Sequence, residues 1–247
     1  LAFRGNFLIK IFVEVLWLSI LLIFYHTVFT KTETVANWDQ QQYLFFVGVS
    51  FALNGLLETL FLENCQQYAE LVRTGDLDFY LLKPMDEQFL VSCRTVDWSC
   101  IANVFMGAGV MLFSLRDGGW NVDVATLLLF LATMACGLAI AYSFLLMMMS
   151  LSVWFMRNQS LMEMWWLFTT LMRYPKDIFS GTIASPVGWV FTFVVPIMLV
   201  TNVPARVMLR ILEPPMVLYT AGATAVLLWV SRRVFRYSLG RYRSASS

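Results

Sequence analysis

From Val124 to Phe155 the chain carries no acidic or basic side chain. That run restricts the fold more than any motif. A spanning helix needs ~20 predominantly apolar residues, and in lipid it must satisfy its own backbone polar groups. A run this long is predicted to tilt or to extend past the bilayer. Further apolar segments cover residues 7–29, 43–62, 96–115, 161–179, 186–203 and 215–234. Only 13% of the 247 residues are charged, where a soluble domain carries about 25%. Lipid must therefore be the solvent for much of the surface. A net charge of +1 gives no basic footprint for nucleic acid.

The chain begins at Leu1 rather than Met, so a short N-terminal piece is expected to precede it. The first ten residues do not read as a cleavable signal, because no small-residue site follows the first apolar run. Cys65, Cys93, Cys100 and Cys136 form no CxxC pair and no cluster with the lone His26. They read as free thiols, with no metal site and no disulfide. His26 reads as a packed residue near the outer end of the first span.

Charge sets the orientation. Arg232, Arg233, Arg236, Arg241 and Arg243 crowd the C-terminal end without an acid, and Arg4 and Lys10 flank the first apolar run. The positive-inside rule places both ends in the cytosol. Two ends on one side require an even number of crossings, so one apolar segment does not cross. Segment 186–203 is that segment, because it carries Pro186 and Pro196 and precedes Pro204. Proline breaks a helix, and broken backbone at membrane depth survives only where protein buries it. The predicted fold is thus all-α integral membrane. It has six transmembrane helices, a long cytosolic segment 63–94 between spans two and three, and an outer re-entrant hairpin before span six. The whole chain, 1–247, is one transmembrane domain. Trp38, Trp120 and Trp189 then fall at the outer boundary, and Trp98, Trp154, Trp165 and Trp166 near the inner one, as an aromatic belt predicts.

Within 63–94, helical spacing through Tyr68, Leu71 and Val72 extends the second span beyond the bilayer. Gly75 and Pro84 then bracket a short element. Asp76 and Asp78 suit its first turn and Lys83 its end, while Phe79, Tyr80, Leu81 and Leu82 supply an apolar surface. Such a knuckle either docks a soluble partner or lies as an amphipathic loop on the inner leaflet.

Ionisable residues within spans raise a functional question by default. Glu14 lies in the first span. Asn54 and Glu58 share a face of the second, four residues apart. These residues either line a cavity for a cationic or amphipathic compound, or bond within the bundle and snorkel toward the cytosol. Arg173, Lys176 and Asp177 cluster at the outer end of the fifth span, where Arg173 and Asp177 are spaced as an i, i+4 pair that would fix an outer gate. Met147, Met148, Met149, Met156, Met162 and Met164 surround the inner turn, as core or lipid-facing packing or as an adaptable surface. A membrane-embedded enzyme would need several polar ligands at one depth, and the chain offers one histidine and scattered acids. An ion-coupled carrier or channel is the alternative reading for the spans.

The stretch Gly75, Leu77, Asp78, Leu81, Leu82, Lys83, Pro84 resembles the cytosolic loop of bacterial ABC-2 type permeases. So do Arg173, Tyr174, Pro175, Ile178 and Phe179, and the terminal run from Tyr242 through Arg243, Ser244, Ala245 and Ser246 to Ser247. The resemblance follows motif order over nearly the whole chain. It implies six spans with a re-entrant element before the last, in a bacterial plasma membrane. It also implies that Asp76, Leu77, Asp78, Phe79, Tyr80, Leu81, Leu82 and Lys83 form a coupling helix seated in a separate ATPase subunit. The partners would be two ATPases and a second permease, either another copy or a homologue. ATP and Mg would belong to the ATPase, with no cofactor on this chain. Consistent with that, the phosphate-binding pattern G-x-x-x-x-G-K-[ST] does not occur, since no Gly-Lys step exists.

Overall fold

The computed structural model describes residues 2–120, 122–155, 158–179, 184–211 and 214–242. Among these there is no strand, only an isolated bridge between Val35 and Trp38. Residues 156–157, at the start of the turn expected over 156–160, and the terminal run 243–247 lie outside the described residues.

Helix α1 (Ala2–Phe29) leads to α2 (Gln40–Leu57). Asp39 caps α2 reciprocally: its Oδ1 accepts from Gln42 N at 2.8 Å, and Gln42 Oε1 accepts from Asp39 N at 3.1 Å. The helix does not stop at residue 62. It passes through a π-helical turn, Glu58–Leu62, into α3 (Glu63–Thr74), as the spacing of Tyr68, Leu71 and Val72 predicts. Gly75 ends it with φ 83°, a left-handed conformation that costs glycine little. Two short helices follow, α4 (Leu77–Leu81) and α5 (Glu87–Ser92).

Helix α6 (Ile101–Asp117) begins five residues later than the apolar run at 96–115 suggests, because Asp97 first turns the chain by accepting from Ser99 N at 3.0 Å. Helix α7 (Val124–Phe155) fills the uncharged run. Helix α8 (Asn158–Met172) ends well before residue 179, since Pro175 cannot continue it. Then come α9 (Ser185–Trp189), α10 (Leu199–Met208) and α11 (Pro214–Leu239).

Four described helices are long and apolar enough to cross a membrane: Phe7–Phe29, Gln40–Thr74, Val124–Val153 and Pro214–Leu239. The pair Ser185–Val194 and Pro196–Met208 passes the same test together, bent by 78°. Pro196 supplies the bend. It lacks an N–H, and it forces Val195 out of the helical region to φ −117°, ψ 80°. Pro204 frees the Val200 carbonyl inside α10. That oxygen lies 2.5 Å from where a Cβ on Gly137 of α7 would be, so only glycine admits it. Every residue of α10 except Arg206 is buried, which is how broken backbone is tolerated at depth.

Helices α1 and α11 are both tied to the segment between α3 and α6, at one end of the bundle. Lys10 of α1 pairs with Asp97 at 3.0 Å, and Arg232 of α11 pairs with Asp86 at 2.6 Å. This proximal end also carries α4 and α5. At the distal end, Gln41 bonds Asp117 and Arg210 pairs with Asp123 at 2.5 Å.

The core forms where small residues let backbones touch. A Cβ on Gly107 of α6 would lie 2.5 Å from the Gly48 oxygen and 2.6 Å from Ala52 N; one on Gly55 would lie 2.8 Å from Val104 N. Without a hydrophobic drive between helices in lipid, such close packing is what holds them. Helix α11 buries Phe235 and also Thr220, Thr224, Ser231 and Ser238, whose hydroxyls donate to carbonyls of their own helix. Trp38 and Trp165 are buried in this core rather than standing in a belt; Trp98 and Trp189 are exposed.

Gly107→Ala should destabilise the protein by about 1–3 kcal/mol, because backbone lies on the far side and cannot give way. Gly109→Ala, two residues on and facing open space, should be neutral or stabilising. Thermal unfolding in detergent compares them, and equal midpoints would remove the α2–α6 seam from the account.

Candidate functional site

The π-helical turn at Glu58–Leu62 is where α2 gains partners across the chain. A π turn shifts the hydrogen-bond register and releases carbonyls, and such turns recur at functional sites. Here the Thr59 oxygen accepts from Asp97 N at 3.0 Å. The Leu60 oxygen accepts from Asn64 Nδ2 at 3.1 Å. Asn64, fully buried, also donates to the Thr95 oxygen at 2.8 Å and accepts from Thr95 N at 2.9 Å. The segment that enters α6 is thereby fixed against the turn that presents Glu58.

Glu14, Asn54 and Glu58 line one cavity of 570 Å³ between α1, α2 and α8. Its walls are aromatic and apolar, with Trp17, Tyr25, Phe51 and Trp166. Asn103 of α6 reaches the same space, its Nδ2 3.5 Å from Glu58 Oε2. Arg173 lines it too, near the distal end, so this residue does not sit with the outer cluster in which its sequence position places it. A smaller recess of 240 Å³ shares Glu14, Glu58 and Trp166 and runs on to Lys10, Glu63 and Asp97. The recess thus adjoins the cavity on its proximal side, beside the Lys10–Asp97 pair. Among the described residues no methionine lines the cavity. Met148 and Met149 are buried in the core instead, and Met156 lies outside the described residues.

At the distal end Asp177 does not pair with Arg173. The i, i+4 geometry requires a helix, and α8 has already ended at Met172. Asp177 instead accepts from Trp38 Nε1 at 2.8 Å and forms an ion pair with Arg206 of α10, whose guanidinium lies 5.7 Å from the Trp38 ring centre. Lys176 N donates to Asn202 Oδ1 at 2.8 Å. Three distant segments are joined there: the first distal loop, the turn after α8, and the bent pair. His26 is exposed beside Gln40, at 3.5 Å.

At the proximal end, α4 is anchored on one face and bare on the other. Leu77 is fully buried. The Tyr80 ring has Lys83 Nζ at 5.1 Å and Arg94 at 5.3 Å from its centre. Asp76 bonds Thr74 Oγ1 at 2.8 Å rather than capping its own helix. Tyr242 lies against Asp78, and burial together with that negative charge raises its phenol above the ordinary tyrosine value. The loop and the C-terminal end, both singled out in the sequence, thus meet in space. Asp86 caps α5, accepting from Phe89 N at 3.1 Å. Tyr142 of α7 clips α5 through Gln88 and Ser92, each at 2.9 Å. On the bare face Phe79 is 70% and Leu82 81% exposed, with Met85 and Phe89 beside them. Asp97, Asn103, Tyr142, Arg206 and Arg232 carry this geometry. The sequence marked only Arg232, and that for orientation, since each gains its role here from a partner at least 29 positions away.

The family described as ABC-2 family transporter protein matches residues 15–246. The chain belongs to the ABC-2 transporter family. No curated protein and no solved structure matches it. With the apolar helices, membership makes this a multi-pass membrane protein and a transport subunit of a kind that associates with ABC ATPases. It gives the ion-coupled carrier no support. In an ABC-2 membrane subunit, a cavity with acids between helices and a clipped knuckle with a bare apolar face are the two features that call for a role.

The Asp86 carboxyl is held below the usual aspartate range by the Phe89 amide and, further, by Arg232, against the opposing effect of burial. A lowered folded value contributes stability that is present above the unfolded value of about 3.9 and lost as pH falls through the folded one. Amide-exchange protection of α5 should therefore be constant at neutral pH and fall in acid. Asp86→Asn should flatten that dependence, and Asp86→Ala should lower protection by about 1 kcal/mol at pH 7 through loss of the cap.

Proposed function

We propose that this chain is the permease subunit of an ABC-2 exporter that moves a hydrophobic or amphipathic compound, drug-like or lipid-like and positively charged. Energy comes from ATP, with Mg, hydrolysed on separate ATPase chains. The observation that carries this reading is the knuckle of α4 and α5, with Phe79, Leu82, Met85 and Phe89 turned outward from an anchored base. Hydrophobic anchors within a polar rim suit a protein groove, and the residues Asp76 to Lys83 are the coupling element. The clip to Tyr142 and the Asp86–Arg232 pair tie this element to α7 and α11. A push on α4 would reach both long helices as a rigid-body movement.

Lys10 of α1 and Arg232 of α11 both pair with the segment that carries the knuckle, which supports an even number of crossings between them. The Arg-rich end places that side in the cytosol of a bacterial plasma membrane. Six crossings follow if α6 and α8 span as well. At 17 and 15 residues they are ~26 and ~22 Å long, short for a bilayer core, so the bilayer or their flanking residues must adjust. The bent pair is then the outer re-entrant element, held by Arg173's neighbours Lys176 and Asp177 through Asn202 and Arg206. A second permease, identical or homologous, completes the transporter within the lipid.

The Glu14, Asn54 and Glu58 face serves as the substrate path. Acids among aromatic walls attract a cation that also carries apolar surface.

Phe79→Ala combined with Leu82→Ala should abolish co-purification of the ATPase while leaving the unfolding midpoint unchanged, because both side chains are exposed. Retained co-purification and normal transport would count against the coupling role. Glu14→Gln with Glu58→Gln should reduce export of cationic substrates at least tenfold, and unchanged export of all of them would remove the substrate path.

A further inference from the structure

Helix α11 changes character along one outward face. Residues 214–231 carry no charge, and as helix they are ~27 Å long, close to the ~30 Å hydrocarbon core of a bilayer. Leu218, Val226 and Trp229 are exposed on that stretch. Arg232 then opens a basic run, so Trp229 marks the level at which acyl chains give way to head groups. Beyond it the face continues through Arg233, Tyr237 and Arg241, each four residues after the last and each exposed.

The two arginines on this face are arranged alike. The Arg233 guanidinium lies 5.3 Å from the centre of the Trp229 ring, and that of Arg241 lies 5.3 Å from the centre of the Tyr237 ring. Arg232 is taken by Asp86, but among the described residues neither Arg233 nor Arg241 forms an ion pair with a carboxylate. A ring attracts the charge of a guanidinium without using up its N–H groups. The planar fork that fits phosphate thus stays available on both side chains.

We propose that this face holds an anionic phospholipid from the leaflet at the proximal end. Arg233 takes the phosphate at the acyl boundary, and the acyl chains lie along Trp229, Val226 and Leu218. Arg241, ~12 Å further along the axis, adds its charge from the water side of the head group. Lipid suits the face better than an acidic protein surface does, because the apolar half of the same stripe already belongs to the membrane. The chain would accordingly prefer phosphatidylglycerol to a phospholipid of no net charge, and most of that preference would come from Arg233.

The test uses the full chain in detergent with equal amounts of dioleoyl phosphatidylglycerol and dioleoyl phosphatidylcholine, and native mass spectrometry counts each lipid retained. The native chain should favour the anionic lipid about tenfold. Arg233→Gln should lower that ratio about fivefold, the effect of one arginine at the membrane surface, and Arg241→Gln about twofold. Arg116→Gln removes the same charge at the distal end and should leave the ratio unchanged. Retention of phosphatidylcholine by Arg233→Gln at the native level shows that the variant is folded. Should it fall, Arg233→Lys decides, since it restores the charge and must restore the preference. No preference in the native chain, a preference that survives Arg233→Gln, or an equal loss in Arg116→Gln would overturn the site.

Discussion

Backbone contact between α2 and α6 is the constraint on which the rest depends. Gly48, Ala52 and Gly55 on one helix and Gly107 on the other remove the side chains that would hold the two axes apart. A Cβ on Gly55 would lie 2.9 Å from the Asn103 Cβ, so the same seam that joins the helices brings Asn103 level with Glu58. The π-helical turn lies at the end of this seam. It hands the Thr59 carbonyl to Asp97 and so determines where α6 starts. A polar site in a bundle of apolar helices is thus a consequence of small residues several turns away, because van der Waals contact is what positions helices that lipid solvates equally well apart.

The two ends of the molecule are built differently. The distal end is tied by a half-buried ion pair: Asp177, Arg206 and Trp38 join three segments. The proximal end is tied by hydrogen bonds and ion pairs at the surface, through Asp86, Arg94, Tyr142 and Arg232. Helix α1 differs from both. Most of its surface is exposed, and its ties are the Lys10–Asp97 pair near one end and the Tyr25 and Tyr43 rings, 4.6 Å apart, near the other. The cavity lies between those ties.

Much of the fold was legible in the chain. The long apolar runs, the extension of α2 through Tyr68 and Val72, the short element between Gly75 and Pro84, and the break at Pro196 all depend on residues close in sequence. Helix ends were less so. Segment 96–115 looks apolar from its start, but Asp97 and Ser99 turn the chain before Ile101. Segment 161–179 hides a helix that stops before Pro175. The acids of the candidate path were legible as ionisable groups in apolar surroundings. Asn103 was not, since an asparagine in an apolar run gives no sign of which helix it will face.

By itself the sequence determined that this is an all-helical chain made for lipid, because the length of an uncharged run and the position of a proline act locally on the backbone. Only the tertiary structure decided that Asp177 takes Arg206 rather than Arg173, that Arg173 joins Glu14 and Glu58 at one cavity, and that Tyr242 returns to Asp78. Those pairings join residues far apart along the chain. How close such residues come is set by the packing of whole helices, which no local pattern records.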